Sequence, residues 1–291
     1  MLTRWNEAIA LIDEQLTQQV DVVELARLTL TSEYHFRRVF SVLAGMPVSE
    51  YIRRRRMSVA AADVLGGLPL EEVALRYAYG SVDGFRRAFT AVHGLTPEQA
   101  RQPGATLRSQ PRLRFHPIEG STLMRHRVTA LDPFRLVGAG TRIPLVYRGP
   151  NPAMIAFHRA LPPSLADRLA GLGDMPEPGG PFSASSDFTE DRADGSEFHY
   201  LYGVATRRSA ADLPGDLDVV EVPGHTWVVF EIEAESGFHA ALQQAWADAF
   251  GEWFPSNPYR VVPAPEILAV TETSDDGEAG RGALWIAVER G

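Results

Sequence analysis

In the first hundred residues apolar side chains recur at helical intervals. Ala8, Ile9, Ile12 and Leu16 share one face and predict a helix over 6–16. Asp21, with Glu24 three residues on, has the form of a capping box for a second helix over 22–28. After the turn Thr29-Leu30-Thr31, Ser32 is placed to cap a third helix. Its spacing turns Phe36, Val39 and Phe40 inward and Tyr34, Arg37, Arg38 and Ser41 outward, and Gly45-Met46-Pro47 stops it. A helix over 51–65, closed by Gly66-Gly67, leads to a second copy of the pattern. In that copy a helix over 70–77 precedes the turn Ala78-Tyr79-Gly80. Ser81 then caps a helix with Phe85, Ala88 and Phe89 inward and Asp83, Arg86 and Arg87 outward, ending at Gly94-Leu95-Thr96-Pro97.

The periodicity changes downstream. Residues 103–121 carry Pro, Gly, Ser and Arg without a regular pattern and read as a linker, closing in a strand at 113–116. Alternation then predicts a strand over 135–142, a helix over 151–161 and strands over 182–188 and 198–206, the last two parted by a turn at Asp194-Gly195. The order recurs as a strand over 225–234, a helix over 237–254, and strands over 266–273 and 283–289 around Asp275-Asp276-Gly277. Two βαββ repeats predict an antiparallel sheet with two helices on one face, the other face being free to form a concave pocket. Alternation groups Phe198, Tyr200, Tyr202 and Val204. In the second helix Trp246, Phe250, Trp253 and Phe254 make one stripe; packing on the sheet accounts for most of it, and the excess is available to a ligand. The expected architecture is therefore multidomain: an all-α double helix-turn-helix domain (1–102), a linker (103–121) and an α+β domain (122–291).

Ser32 to Phe40 and Ser81 to Phe89 share Ser, then Phe-Arg-Arg-x-Phe, at a spacing of 49 residues. One helix-turn-helix pattern is a weak signal; two in register are a strong one. A joining helix of roughly 15 residues is about 22 Å long. It would let one chain set two recognition helices the ~34 Å apart that separates successive turns of DNA. Arginine suits both tasks, since its planar fork reads guanine edges and grips phosphate.

The doubled pattern, the connecting Tyr51-Ile52-Arg53-Arg54-Arg55-Arg56-Met57 and the closing Gly94-Leu95-Thr96-Pro97-Glu98-Gln99-Ala100-Arg101 make residues 5–102 resemble the DNA-binding domain of the AraC/XylS family. Ala100 departs from that pattern, which has an aromatic residue there. The resemblance implies base contacts from Tyr34, Arg37 and Arg38 in the first unit and from Val82, Asp83 and Arg87 in the second, with Ser32, Ser81 and Arg86 completing the DNA-facing set. Val82, Asp83 and Gly84 offer little to a base edge, so the second unit is expected to read less stringently. Two of Arg53–Arg56 are expected to be solvated or ion-paired, and His35 and His93 to be ordinary surface or turn residues.

Charge sharpens the division. The net charge of −9 is unevenly placed: residues 1–115 hold 15 Arg against 12 acidic residues, and residues 116–291 hold 13 against 25. The first part suits phosphate; the second suits a neutral or cationic partner. There is no cysteine, which excludes disulfides, thiolate metal sites and cysteine nucleophiles. No long apolar run and no leader-like start are present, so a cytoplasmic location without membrane contact is expected.

Val222-Pro223-Gly224-His225-Thr226-Trp227-Val228-Val229-Phe230, Trp253-Phe254-Pro255, Pro265-Glu266-Ile267-Leu268 and Leu284-Trp285-Ile286-Ala287-Val288 make residues 122–291 resemble the GyrI-like effector-binding domain. That resemblance implies a carboxylate, Glu266, at the floor of an aromatic pocket. Trp227, Tyr202, Trp246, Trp253 and Trp285 are candidate walls. A buried carboxylate with ring faces around it favours a lipophilic or aromatic cation; the competing reading makes Glu266 a paired strand residue. The leading function is a ligand-responsive transcription regulator that binds double-stranded DNA and a small effector, with RNA polymerase as a further possible partner. Alternatives are a hydrolase-like enzyme using Glu266 beside a tyrosine as general base, or a protein-interaction module. No HExxH, G-x-S-x-G or phosphate-binding glycine loop is present, so neither metal nor cofactor is expected.

Overall fold

The computed structural model describes residues 2–115, 124–146, 150–189 and 195–290. The chain divides into two compact units, Met1–Ile118 and Glu119–Gly291.

The first unit is helical: α1 (Leu2–Glu14), α2 (Val22–Leu28), α3 (Glu33–Ala44), α4 (Val48–Leu65), α5 (Leu70–Arg76), α6 (Val82–His93) and α7 (Pro97–Ala100). The caps act as their chemistry dictates. Ser32 Oγ accepts from the His35 amide at 3.2 Å and Ser81 Oγ from that of Gly84 at 3.1 Å. Asp21 caps α2 through the amides of Val23 and Glu24. Glu24 does not close a box; its carboxylate accepts from Gln15 at 3.0 Å instead. Gly45 and Gly94 end α3 and α6 in left-handed backbone, at φ 65 and 77. The two helix-turn-helix turns match each other closely. Leu30 (φ 58) and Ala78 (φ 61) occupy the same left-handed position. Each is followed by an equivalent bond, Thr31 amide to Ala26 carbonyl and Tyr79 amide to Ala74 carbonyl, both 2.9 Å. The second copy has one additional residue, Gly80, before its capping serine.

Phe36, Phe40, Phe85 and Phe89 are buried as the periodicity requires. Two histidines differ from expectation: His35 and His93 are both buried, and His93 Nε2 lies 3.1 Å from the Met57 carbonyl oxygen. Ser41 is also buried because its hydroxyl folds back on its own helix, donating to the Arg37 carbonyl at 2.7 Å.

The segment expected as linker begins differently. Residues 107–115 lie extended on the helices and make no strand among the described residues; His116 and the rest of the expected linker fall outside them.

The second unit is built on one sheet. Its strands are β1 (His126–Leu131), β2 (Phe134–Pro144), β3 (Phe182–Ser186), β4 (Glu197–Thr206), β5 (Asp218–Val222), β6 (His225–Ala234), β7 (Tyr259–Val261), β8 (Glu266–Thr273) and β9 (Gly280–Arg290). The order is β1-β6-β9-β8-β3-β4-β2-β5, all neighbours antiparallel, with β7 also on β9. The helices are α8 (Pro152–Ala160), α9 (Leu165–Ala170), α10 (Phe238–Asp248) and the short α11 (Phe254–Ser256). The two repeats meet at β3 and β8, giving the sheet a pseudo-twofold centre at Ala184 opposite Ile267. Strands β1 and β5 extend each repeat beyond the expected pattern: β1 pairs with β6 and β5 with β2, so each repeat's first strand lies on the other repeat's half. Of the expected turn between β3 and β4, Asp194 lies outside the described residues; Gly195 has a φ of 81.

The face away from the helices is not an open pocket. Phe134, Leu136, Phe182, Leu201, Trp227, Val229, Ile267 and Trp285 form a closed core there, with Met175, Val262 and Ala264 packed against it. Between α10 and α11 the chain takes a π-helical turn, Ala249–Trp253. The wider turn breaks the 3.6 period, so Trp246 and Trp253 do not share a stripe.

Candidate DNA and ligand sites

On α3, Tyr34 and Arg37 are partly exposed, and Arg37 is held by Glu33 one turn earlier at 2.7 Å. Arg38 is buried, although helical spacing turns it away from Phe36, Val39 and Phe40. On α6, Val82 and Asp83 stand in the first turn. Arg86 is tied to Glu98 at 2.9 Å and to Asp83 at 3.3 Å. Arg87 is exposed and enters no ion pair among the described residues. Ser32 and Ser81 are engaged as caps.

The Arg53–Arg56 run splits by role. Arg53 and Arg54 both pair with Glu50 on the same helix. Arg55 forks onto Asp13, and Arg56 donates to the Leu16 and Gln18 carbonyls at 2.9 and 2.7 Å. Burial lowers the pKa of Arg56. Arg55 and Arg56 therefore join α4 to α1 and to the loop that follows it.

Glu266 opens β8 and is buried, accepting a hydrogen bond from the Trp246 indole on α10 at 2.8 Å. Register places its neighbours. Glu266 lies opposite Ser185, which lies opposite Tyr200; on the next row Leu268, Ser183 and Tyr202 stand in line. Directly paired residues share a face, so Glu266, Ser185 and Tyr200 cross three strands on one side, with about 10 Å between the outer two backbones. The small serines thus stand between Glu266, with Trp246 on it, and the two tyrosines. Tyr200 Oη lies 2.7 Å from both Ser183 Oγ and His158 Nε2 on α8. Burial raises the pKa of Tyr200 and of Tyr202, which keeps both neutral, and partial desolvation lowers that of His158. None of the residues of α8 is fully buried, but Ala153, Met154 and Phe157 pack it against Ile143, Phe198 and Tyr200 of the sheet.

The expected walls divide between the two faces. Trp285 lies opposite Ile267, and Trp227 lies opposite Ala287, two residues along β9 from Trp285. Both therefore point to the side away from Glu266. Trp227 belongs to the closed core, and the Arg127 guanidinium caps Trp285 at 5.0 Å. Trp253 stacks on Tyr259 at 5.6 Å and meets Phe230 and His126 near the β1 edge. Trp246 and Tyr202 remain with Glu266. Ser183, Ser185, Tyr200 and His158 join them, and only the alternation of Tyr200 with Tyr202 had signalled any of these.

A separate open hollow of about 750 Å³ lies along another flank of α10 beside Phe230 and Ile232. Its Arg125, Glu231, Glu233 and Arg281 pair with one another, and Asp248, which accepts from Gln244, adds a further carboxylate.

A double helix-turn-helix unit followed by a pseudo-symmetric antiparallel sheet with a buried carboxylate on its helix-bearing face defines a DNA-binding regulator carrying a small-molecule-binding domain. A helix-turn-helix domain profile matches residues 25–103, and the GyrI-like small molecule binding domain matches residues 124–286. The chain belongs to the AraC-type regulators and, through its second unit, to the GyrI-like family. It is 33% identical over 97 residues to the HTH-type transcriptional activator AarP of Providencia stuartii, covering 33% of this chain and 72% of that protein. It is 28% identical over 130 residues to the right origin-binding protein of Escherichia coli (strain K12), covering 44% of each. The chain thus spans less than half of that second relative. Among solved structures, SAV2435 bound to tetraphenylphosphonium aligns with 57% of this chain and 94% of its own, at 17% identity and a TM-score of 0.43. No described helix is long and apolar enough to cross a membrane.

Proposed function

We propose that the protein is a one-component transcription regulator of the bacterial cytoplasm whose second unit reads a lipophilic, aromatic cation through Glu266. Its first unit contacts DNA through Tyr34, Arg37 and Arg38 on α3 and through Val82, Asp83, Arg86 and Arg87 on α6. The carrying observation is the buried Glu266 carboxylate, held by the neutral Trp246 indole beside two serines and two neutral tyrosines. A delocalised cation with a bulky apolar shell supplies charge to the carboxylate and area to the rings. Ligand binding shifts the populations of two states that differ in affinity for DNA or for RNA polymerase. The site functions in binding rather than turnover.

Tetraphenylphosphonium titrated by calorimetry into the full chain is the test. Binding is expected in the wild type, weakened at least about tenfold, or ~1.4 kcal/mol, in Glu266→Gln. Unchanged affinity in Glu266→Gln would remove the carboxylate from the site, and chemical change of a bound candidate would favour an enzyme.

A further inference from the structure

We infer that residues 107–115 are a splint that fixes the relative position of the two recognition helices. The observation is a continuous series of anchors along α4, which joins the two helix-turn-helix copies. At one end Leu107 packs against the second copy's core of Val64, Val73, Phe85 and Phe89. Midway, the Gln110 amide donates to Ser58 Oγ at 2.7 Å, and its carbonyl accepts from Arg55 at 2.7 Å. Further on, the Leu113 amide donates to the Tyr51 hydroxyl at 3.1 Å. At the other end Phe115 and Asn6 on α1 exchange two hydrogen bonds, of 2.8 and 2.9 Å. The Phe115 ring stands edge-on to both Trp5 and Phe40 at 6.3 Å, and Trp5 stacks flat on Phe36 of α3 at 5.0 Å.

Exposure follows the same alternation. Leu107, Gln110, Leu113 and Phe115 are half-buried, while Arg108, Ser109, Arg112 and Arg114 are exposed. A passive tether would not commit its backbone N–H and C=O groups to four side chains on two helices. Aside from α4, this segment spans both copies, one end in the core beneath α6 and the other in the core beneath α3. It therefore adds stiffness to the distance between the two reading heads, and stiffness is what makes two weak half-site contacts act as one strong one. The same residues lead directly toward the second unit, so whatever loosens the splint lowers bipartite binding before it touches either recognition surface. The inference rests on the DNA reading of the first unit.

The test uses the full chain and a duplex that the wild type selects from a random-sequence pool, compared with the same duplex carrying one scrambled half-site and with one base pair inserted between half-sites. Phe115→Ala is expected to bind the intact duplex about tenfold more weakly, yet to lose much less on the single half-site. It should also tolerate the inserted base pair better than the wild type does, and Phe115→Tyr should restore wild-type spacing discrimination. Should Phe115→Ala prove poorly folded, Ser58→Ala removes a mid-splint anchor and is expected to relax spacing in the same direction. Equal losses on both duplexes, or unaltered spacing discrimination in both variants, would overturn the splint. Failure of the wild type to select any sequence would instead overturn the DNA reading itself.

Discussion

Leu30 and Ala78 show how far local backbone demands reach in this chain. Both hold left-handed φ angles, 58 and 61, at equivalent turns where a side chain is strained. Ala78 is exposed, so Ala78→Gly sacrifices little packing. Relief of the strain outweighs glycine's extra chain entropy, and a gain of about 0.5–1 kcal/mol is expected. Urea unfolding followed by circular dichroism checks it; a lower midpoint would mean that Ala78 is not strained. Residue by residue, legibility tracked how local the cause was. Ser32, Ser81, Phe36 and Phe85 were readable because capping and 3.6 periodicity act within one turn. Trp227 and Trp285 were not, since their strands are buried on both faces and only cross-strand register tells which side they take. Ser183 and Ser185 carry a polar signature that fits a solvated strand as well as a ligand site. Glu266 was legible only through family resemblance. Arg38 was expected on the surface and is covered, so any base contact it makes begins by shedding that cover.

Elements were readable where they are long and regular. Strands β6 and β8 have the bounds the sequence predicts, whereas exposed positions dilute the pattern of β1 and β5, and β7 is only 3 residues long. The π turn after α10 was invisible because adding one residue to a turn leaves composition unchanged while rotating every later side chain. The joint between α4 and α5 offers a titration handle. Tyr77 on the end of α5 donates to Asp63 of α4 at 3.0 Å, and burial, then this carboxylate, push its pKa from 10.0 up to about 12. The folded state thus keeps Tyr77 neutral where the unfolded chain would ionise it. Its contribution is complete below pH 10 and is lost as pH rises through about 12. Thermal melts of the wild type should therefore fall across that alkaline interval more steeply than those of Tyr77→Phe. Parallel slopes would show that Tyr77 titrates normally.

For the molecule as a whole, the question is how a chain of net charge −9 binds a polyanion. The answer lies in segregation: the excess of acid falls in the second unit, and the first carries more Arg than acid. At physiological ionic strength charges more than about 8 Å away are largely screened, so the local sign of the recognition surface decides. Much of the first unit's arginine is committed internally, since Arg55 and Arg56 brace α4, and Arg53 and Arg54 share Glu50. Of the first unit's exposed arginines whose side chains enter no ion pair or hydrogen bond among the described residues, Arg4, Arg27, Arg87, Arg108 and Arg114, Arg87 is the one on a recognition helix. A moderate salt dependence follows, shallower than the 15 arginines of residues 1–115 would suggest. Each phosphate contact contributes about 0.9 to the negative slope of log affinity against log salt. Arg87→Ala is expected to reduce that slope by about one if Arg87 meets phosphate, and to weaken all sequences alike. If it reads a base, the slope holds while discrimination at one position relaxes. Fluorescence anisotropy over a salt series, with matched and mismatched duplexes, separates the two, and a flat wild-type slope would leave the first unit without phosphate anchoring.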